Sequence, residues 1–241
     1  MLRARTRRLL AATGIGVASL LACGTSLAGG KAFCAASLAG ELSATGSARQ
    51  LVTVVAPAAT STRGSLSLWR RAGSCWLETA GPWSAWLGKN GVSARHREGD
   101  ETTPAGAFVI GTVIYGAAAD PGVAYRYHRL VCGDWWDEDP SSPAYNTFVH
   151  LSCGERPGFS GASEPLWLSP SAYAYFALID YNTRPVIPGA GSAIFIHVSF
   201  GAPTDGCVAL PRGELVELLR WLRPGSSPLI VIGTAAGIRR Y

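Results

Sequence analysis

Short runs of β-branched and aromatic residues, each closed by glycine, proline or serine, recur along this chain and restrict it to a mainly β architecture. They fall at 51–55 (LVTVV), 65–70 (SLSLWR), 76–80 (WLETA), 106–111 (GAFVIG), 194–198 (IFIHV) and 229–233 (LIVIG). Such side chains suit a pleated, half-buried surface, and short strands at this spacing predict a β-sandwich or barrel. Two helices are expected among them. One follows a strand at 166–168, with Ser169 as N-cap and Pro170 opening a helix that runs to 179. The other covers 211–223, with Leu215, Leu218, Leu219 and Leu222 on one face and Pro224-Gly225 as its stop. At 241 residues, 48% hydrophobic and 15% charged, the chain can bury a sizeable core, which excludes disorder throughout and predicts one globular domain with an N-terminal appendage.

Chemistry concentrates in 194–210, IFIHVSFGAPTDGCVAL, where one histidine precedes one cysteine by ten residues in a strand, turn and strand. His197 sits on the strand; Gly201, Pro203 and Gly206 mark the turn; Cys207 follows it. Pro211 starts a helical pattern soon after, so the sulfur is expected near a helix N-terminus. A helix dipole and an imidazole both favour thiolate over thiol. The pair therefore reads as a nucleophile, Cys207, and its general base, His197. A buried structural or disulfide cysteine beside a core histidine is the plainer alternative on spacing alone.

The same residues resemble the L,D-transpeptidase family with the YkuD-type catalytic domain, whose motif is a histidine, a spacer, then Ser/Thr-x-Gly-Cys. Here it reads His197, Thr204, Asp205, Gly206, Cys207. Upstream, Glu98-Gly99-Asp100 and Thr103-Pro104-Ala105-Gly106-Ala107-Phe108 resemble the EGD-x-x-TP-x-G-x-F signature of that domain. The resemblance covers roughly 50–233. The spacer is short, as in the short-loop branch. Asp205 stands where the family more often has histidine, and Ala209 where arginine or asparagine is frequent. A carboxylate at 205 either raises the cysteine pKa or binds a substrate ammonium.

The resemblance implies a β-sandwich catalytic domain and a peptidoglycan L,D-transpeptidase activity. Cys207 would form an acyl-enzyme with a tetrapeptide stem and pass it to an amine acceptor, making a 3-3 crosslink in cell wall biogenesis. It also implies a backbone carbonyl, not a carboxylate, as the group orienting His197, and acylation by carbapenem-type inhibitors. Thr204, Asp205 and Gly206 would form the oxyanion and substrate-positioning loop, although Thr204 equally suits an ordinary turn. An L,D-carboxypeptidase or amidase hydrolysing the same acyl-enzyme is the nearest rival. A non-catalytic wall-binding lipoprotein is the rival from another class.

The N-terminus reads as an export signal over 1–22: Arg3, Arg5, Arg7 and Arg8, then an apolar run over 9–22, shorter than the roughly 20 residues that span a bilayer. Leu20-Leu21-Ala22-Cys23 resembles a lipobox with Cys23 as the lipidated residue, while Ser26-Leu27-Ala28 offers an ordinary cleavage site. The expected location is the cell envelope, with membrane attachment only through the signal or a lipid. Residues 23–49 read as a flexible tether, 50–235 as the catalytic domain and 236–241 as a tail. Those four arginines supply most of the net charge of +5, so the charge carries no nucleic-acid footprint.

With Cys23 lipidated or removed and Cys207 kept free, Cys34, Cys75, Cys132 and Cys153 form an even set with three possible pairings. Cys132 with Cys153 and Cys34 with Cys75 are the expected disulfides, and four buried free thiols are the alternative. The loop 134–139 (DWWDED) is a candidate cleft wall through Trp135, Trp136 and Asp137, with Tyr145 and Asn146 beside it; a structural tryptophan pair with solvated acids is the alternative. His96, His128 and His150 are too scattered for ligand spacing and no HExxH or CxxC occurs, so neither metal nor other cofactor is expected.

Overall fold

The computed structural model describes residues 34–160 and 162–241. The expected signal at 1–22, the Cys23 lipidation site and residues 23–33 lie outside the described residues. The strands, in chain order, are β1 (Gln50–Ala56), β2 (Arg63–Ala72), β3 (Cys75–Trp86), β4 (Val92–Ser93), β5 (Thr103–Pro104), β6 (Gly106–Gly116), β7 (Arg126–Arg129), β8 (Asp134–Asp137), β9 (Thr147–His150), β10 (Glu164–Pro165), β11 (Phe176–Ile179), β12 (Phe195–Val198), β13 (Val208–Leu210) and β14 (Leu229–Thr234). Helix α1 is Leu38–Glu41 and helix α2 is Arg212–Trp221.

The main sheet runs β11-β12-β13-β3-β2-β1-β14-β6-β7, and β11 also pairs with β6. Eight strands therefore close on themselves and enclose the main core, with β7 appended to β6. Alternation sets what each strand contributes. Val52 and Val54 of β1, opposite Leu68 and Leu66 of β2, point inward with Ile196, Val208, Leu210 and Ile232. Helix α2 lays Leu215, Leu218 and Leu219 onto that same core.

Leu51 of β1 and Val231 of β14 face outward, yet both are fully buried. Their cover corrects two expected boundaries. Residues 34–49 are not a tether: Ala39, Leu42 and Ala48 pack on Leu51, Trp69 and Trp76, and a Cys34–Cys75 disulfide (Cα–Cα 5.2 Å) ties the segment to β3. Residues 236–241 are not a free tail: Ile238 is buried in the same cluster, and the Tyr241 carbonyl accepts from Ser43 Oγ at 2.9 Å. Small residues read as a linker because their burial comes from the tryptophans they cover.

A third correction falls at 166–179. Leu166–Leu168 and Ala172–Ala174 are single 3-10 turns, and the residues expected to finish a helix form β11. Phe176 lies opposite His197 on one side and Tyr115 on the other, so β11 completes ladders along both edges. That tertiary pairing overrides the local preference of an alanine-rich stretch.

Candidate active site

β12 and β13 run parallel, with Ile196 opposite Val208 and His197 opposite Ala209. Ile196 and Val208 thus point into the core, whereas Phe195, His197, Cys207 and Ala209 face the other way. On that face a third apolar cluster forms the floor of the site. It contains Trp136, Leu166, Tyr173, Phe176 and Phe195, with Cys207 packed against it.

Cys207 is half-buried and is the free cysteine among the described residues; Cys132 and Cys153 form the second disulfide, Cα–Cα 5.1 Å. The expected helix N-terminus does not meet the sulfur, because β13 intervenes between Cys207 and α2. Backbone groups meet it instead. Sγ accepts from Phe195 N at 3.3 Å and donates to the carbonyl of Ala193 at 3.2 Å. Ala193 holds a left-handed φ of 52°. Burial pushes the thiol well above its ordinary range; the Phe195 N–H opposes this, and Glu164, Glu138 and Asp205 add to it. The resting group is a neutral thiol.

His197 Nδ1 lies 2.9 Å from the carbonyl of Val198, so Nδ1 carries the proton and Nε2 is left as the basic nitrogen. Burial pulls the imidazole down to about 4, against the pull of that carbonyl, and the ring is neutral at physiological pH. His197 and Cys207 line one cavity of about 320 Å³ together with Tyr173, Phe200, Pro203 and Thr204.

The turn before Cys207 is held from three sides. Thr204 Oγ1 donates to the Cys207 carbonyl at 2.7 Å and accepts from Gly206 N at 3.2 Å, so its hydroxyl braces the turn. Gly206 has φ +145°, and a Cβ there would lie 3.0 Å from the Thr102 carbonyl. Thr103 Oγ1 reaches the Cys207 carbonyl from the TP segment at 3.5 Å. Asp205 is largely exposed and pairs with Lys89, which also binds Glu101 at 3.1 Å.

The upstream motif works through its hydrogen bonds. Glu98 Oε2 accepts from Ser192 Oγ at 2.7 Å and from the Tyr145 hydroxyl, and Asp100 accepts from Arg97 N and Thr102 N. These contacts anchor the segment that leads into β12.

Of the aromatic acidic loop 134–139 only Glu138 reaches a cavity beside Cys207; the residues expected to wall the cleft, Trp135, Trp136 and Asp137 with Tyr145 and Asn146, do not. Trp136 and Asp137 are buried: the indole donates to Asn146 Oδ1 at 3.0 Å and stands edge-on to Phe195, while the carboxylate accepts from Asp139 N and Ser142 Oγ. Trp135 packs on Phe159 and Trp167. Asn146 at φ +59° donates to the Tyr181 and Asn182 carbonyls and accepts from Ala193 N at 3.1 Å. Tyr145 accepts from Gly191 N. None of the five lines a cavity that Cys207 lines. They brace the loop before β12 because their polar atoms are satisfied inside the fold.

Of the acidic residues that do face Cys207, Asp205, Glu98 and Glu138 fall in segments the sequence singled out, whereas Glu101 and Glu164 escaped sequence reasoning. Glu164 lines the cavity shared with His197. A second cavity of about 260 Å³ meets Cys207 and is lined by Glu98, Glu101, Glu138, Glu164 and Asp205. The five are scattered along the chain, Glu98 in the EGD triplet, Glu138 in the DWWDED loop and Asp205 in the cysteine motif, and nothing local links them. His128 and His150, distant in sequence, converge on the buried Asp134 at 2.9 and 2.7 Å. Among the described residues no group of three or more His, Cys, Asp or Glu is arranged to hold a metal ion, and no helix is long and apolar enough to cross a membrane.

No curated protein and no solved structure matches this chain. A family model does, over residues 67–232, which takes in the strand of His197, the braced turn of Cys207 and the EGD and TP segments that anchor them; the chain belongs to the L,D-transpeptidase catalytic domain family, YkuD.

Proposed function

We propose that this protein is a peptidoglycan L,D-transpeptidase that uses Cys207 as its acyl-accepting nucleophile and His197 as the proton carrier. The observation behind the reading is that a free thiol and a neutral imidazole, on the same face of neighbouring segments and with His197 opposite Ala209, line one cavity. Nε2 of His197 takes the thiol proton as Sγ attacks the carbonyl of the third residue of a tetrapeptide stem. The proton then goes to the departing D-alanine amine as the C–N bond breaks, leaving a thioester. An amine of a second stem attacks the thioester carbonyl and forms the 3-3 crosslink, and its displaced proton returns to the thiolate through His197. Thr204 and Gly206 hold the turn from which backbone N–H groups meet the oxyanion.

Two disulfides support an oxidising compartment, in keeping with export to the cell envelope, attached there by at most a signal or a lipid. The test is mass spectrometry of intact protein with a carbapenem. One covalent adduct on wild type and none on Cys207→Ala supports the nucleophile; adducts on both, or on neither, overturn it. Incubation with stem peptides separates the reactions: crosslinked dimers are expected, whereas trimmed monomers alone identify a hydrolase.

A further inference from the structure

In the resting site the proton of Cys207 is not shared with His197. Sγ donates to the carbonyl of Ala193 at 3.2 Å, and among the described residues it makes no hydrogen bond to the imidazole. Phe195 N, two residues on, donates to the same sulfur at 3.3 Å. The segment 193–195 therefore decides which way the thiol points, and that segment is itself held. Ala193 sits at φ 52°, a left-handed conformation that a residue with a Cβ leaves unless its surroundings fix it. Ile179 N fixes the carbonyl of Ile194 at 2.8 Å, so the Ala193 N–H is the point at which a side chain sets φ.

That side chain is Asn146, which is buried and uses every hydrogen-bonding position of its amide. Oδ1 accepts from Ala193 N at 3.1 Å and from Trp136 Nε1 at 3.0 Å. Nδ2 donates to the carbonyls of Tyr181 at 3.1 Å and Asn182 at 2.9 Å. Two donations and two acceptances exhaust a carboxamide. Three of the four partners lie outside 193–195, so the amide is anchored elsewhere in the fold and the Ala193 peptide is what it positions.

We propose that Asn146 is a positioning residue for the nucleophile: by gripping the Ala193 peptide it holds the resting thiol on the Ala193 carbonyl and away from His197. The inference rests on the reading of Cys207 as nucleophile and His197 as base, and adds how that pair is kept uncoupled at rest. Without the grip, Ala193 relaxes toward negative φ and its carbonyl turns from the sulfur. The S–H proton is then free to pass to Nε2 of His197, leaving a thiolate that the Phe195 N–H still stabilises.

Raman spectroscopy of the full-length protein reads this contact, because the S–H stretch falls to lower wavenumber when a thiol donates a hydrogen bond. Subtracting the spectrum of the matching Cys207→Ala protein isolates the Cys207 band. In wild type the band is expected below the free-thiol position; a band at that position overturns the proposal with no change at Asn146. Asn146→Gly keeps the positive φ of residue 146 and removes the amide, so its band should leave the wild-type wavenumber. Asn146→Asp keeps the acceptor for Ala193 N but loses both donations, so it is destabilised too, yet its band should stay. With near-UV circular dichroism retained, an unmoved band in Asn146→Gly, or equal movement in both variants, overturns the assignment and leaves Asn146 a structural brace. Alkylation of Cys207 by iodoacetamide at neutral pH should be roughly two- to tenfold faster in Asn146→Gly than in wild type, the size of one lost hydrogen bond to the thiol. An unchanged or slower rate overturns the claim that the carbonyl restrains the sulfur. Neither readout needs acyl transfer: a wild-type protein that takes no carbapenem, with the bands as expected, would refute the function proposed above and leave the positioning of the thiol standing.

Discussion

Glu138→Gln should stabilise this protein, and the gain should grow with pH. Burial, followed by the negative charges of Glu164, Glu98, Asp205 and Asp137, pushes the folded carboxyl from 4.5 up to about 9. A raised folded pKa means that the stability contributed by the protonated group is complete below pH 4.5 and is lost as pH climbs toward 9, because the unfolded chain releases its proton first. At about 1.36 kcal/mol per pH unit, the two units between pH 5 and pH 7 correspond to roughly 2.7 kcal/mol. Glutamine has no proton to release, so the stability gap between variant and wild type should widen by about 2–3 kcal/mol over that range. For a domain of this size that is roughly 5–10 °C in Tm. Thermal unfolding of both proteins at pH 5, 6 and 7 measures it, and effects common to both cancel in the difference. A gap that stays constant across the three would show that the carboxyl is solvated or paired, and the reasoning about the cavity would fail with it.

Gly206→Ala places a Cβ 3.0 Å from the Thr102 carbonyl at a φ that only glycine adopts readily, which should cost about 1–3 kcal/mol and shift the Cys207 turn. Carbapenem acylation should slow at least about tenfold, a larger loss than the fall in Tm alone implies. Asn146→Ala removes the acceptor of Trp136 Nε1 and Ala193 N and the donor to two carbonyls, so urea unfolding should register a loss of about 3 kcal/mol or more. Cys34→Ser/Cys75→Ser opens a crosslink between residues 41 apart, worth about 4 kcal/mol by loop entropy, and protease should then cut within 35–49 while the rest of the fold persists.

The motif of His197 and Cys207 and the turn between them were readable because they lie on one strand, turn and strand, where a few residues of contiguous sequence carry the backbone geometry. Strands β1, β2, β3, β6, β12 and β14 were readable for the same reason. What escaped depends on distant partners. Glu98, Glu138 and Glu164 meet only because β8 and β10 pair beside the loop before β12, and nothing in the surroundings of each residue signals the other two. Trp136 and Asp137 looked like a cleft wall because an acidic aromatic loop gives no sign that Asn146, ten residues on, satisfies the indole internally. Residues 34–49 looked unstructured because small side chains reveal burial only through what lies beneath them, here Trp69 and Trp76.

The hydrogen bond from Cys207 to the Ala193 carbonyl has a protective side. Thiolates, not thiols, are what peroxides oxidise and what attack disulfides. The described residues carry two disulfides and a free cysteine, a combination open to scrambling whenever the free sulfur ionises. Capped by Ala193 and surrounded by carboxyls, Cys207 keeps its proton at rest and remains inert toward its own crosslinks. The sulfur is thereby held as a thiol at rest, and it becomes vulnerable only in the interval when it gives up its proton.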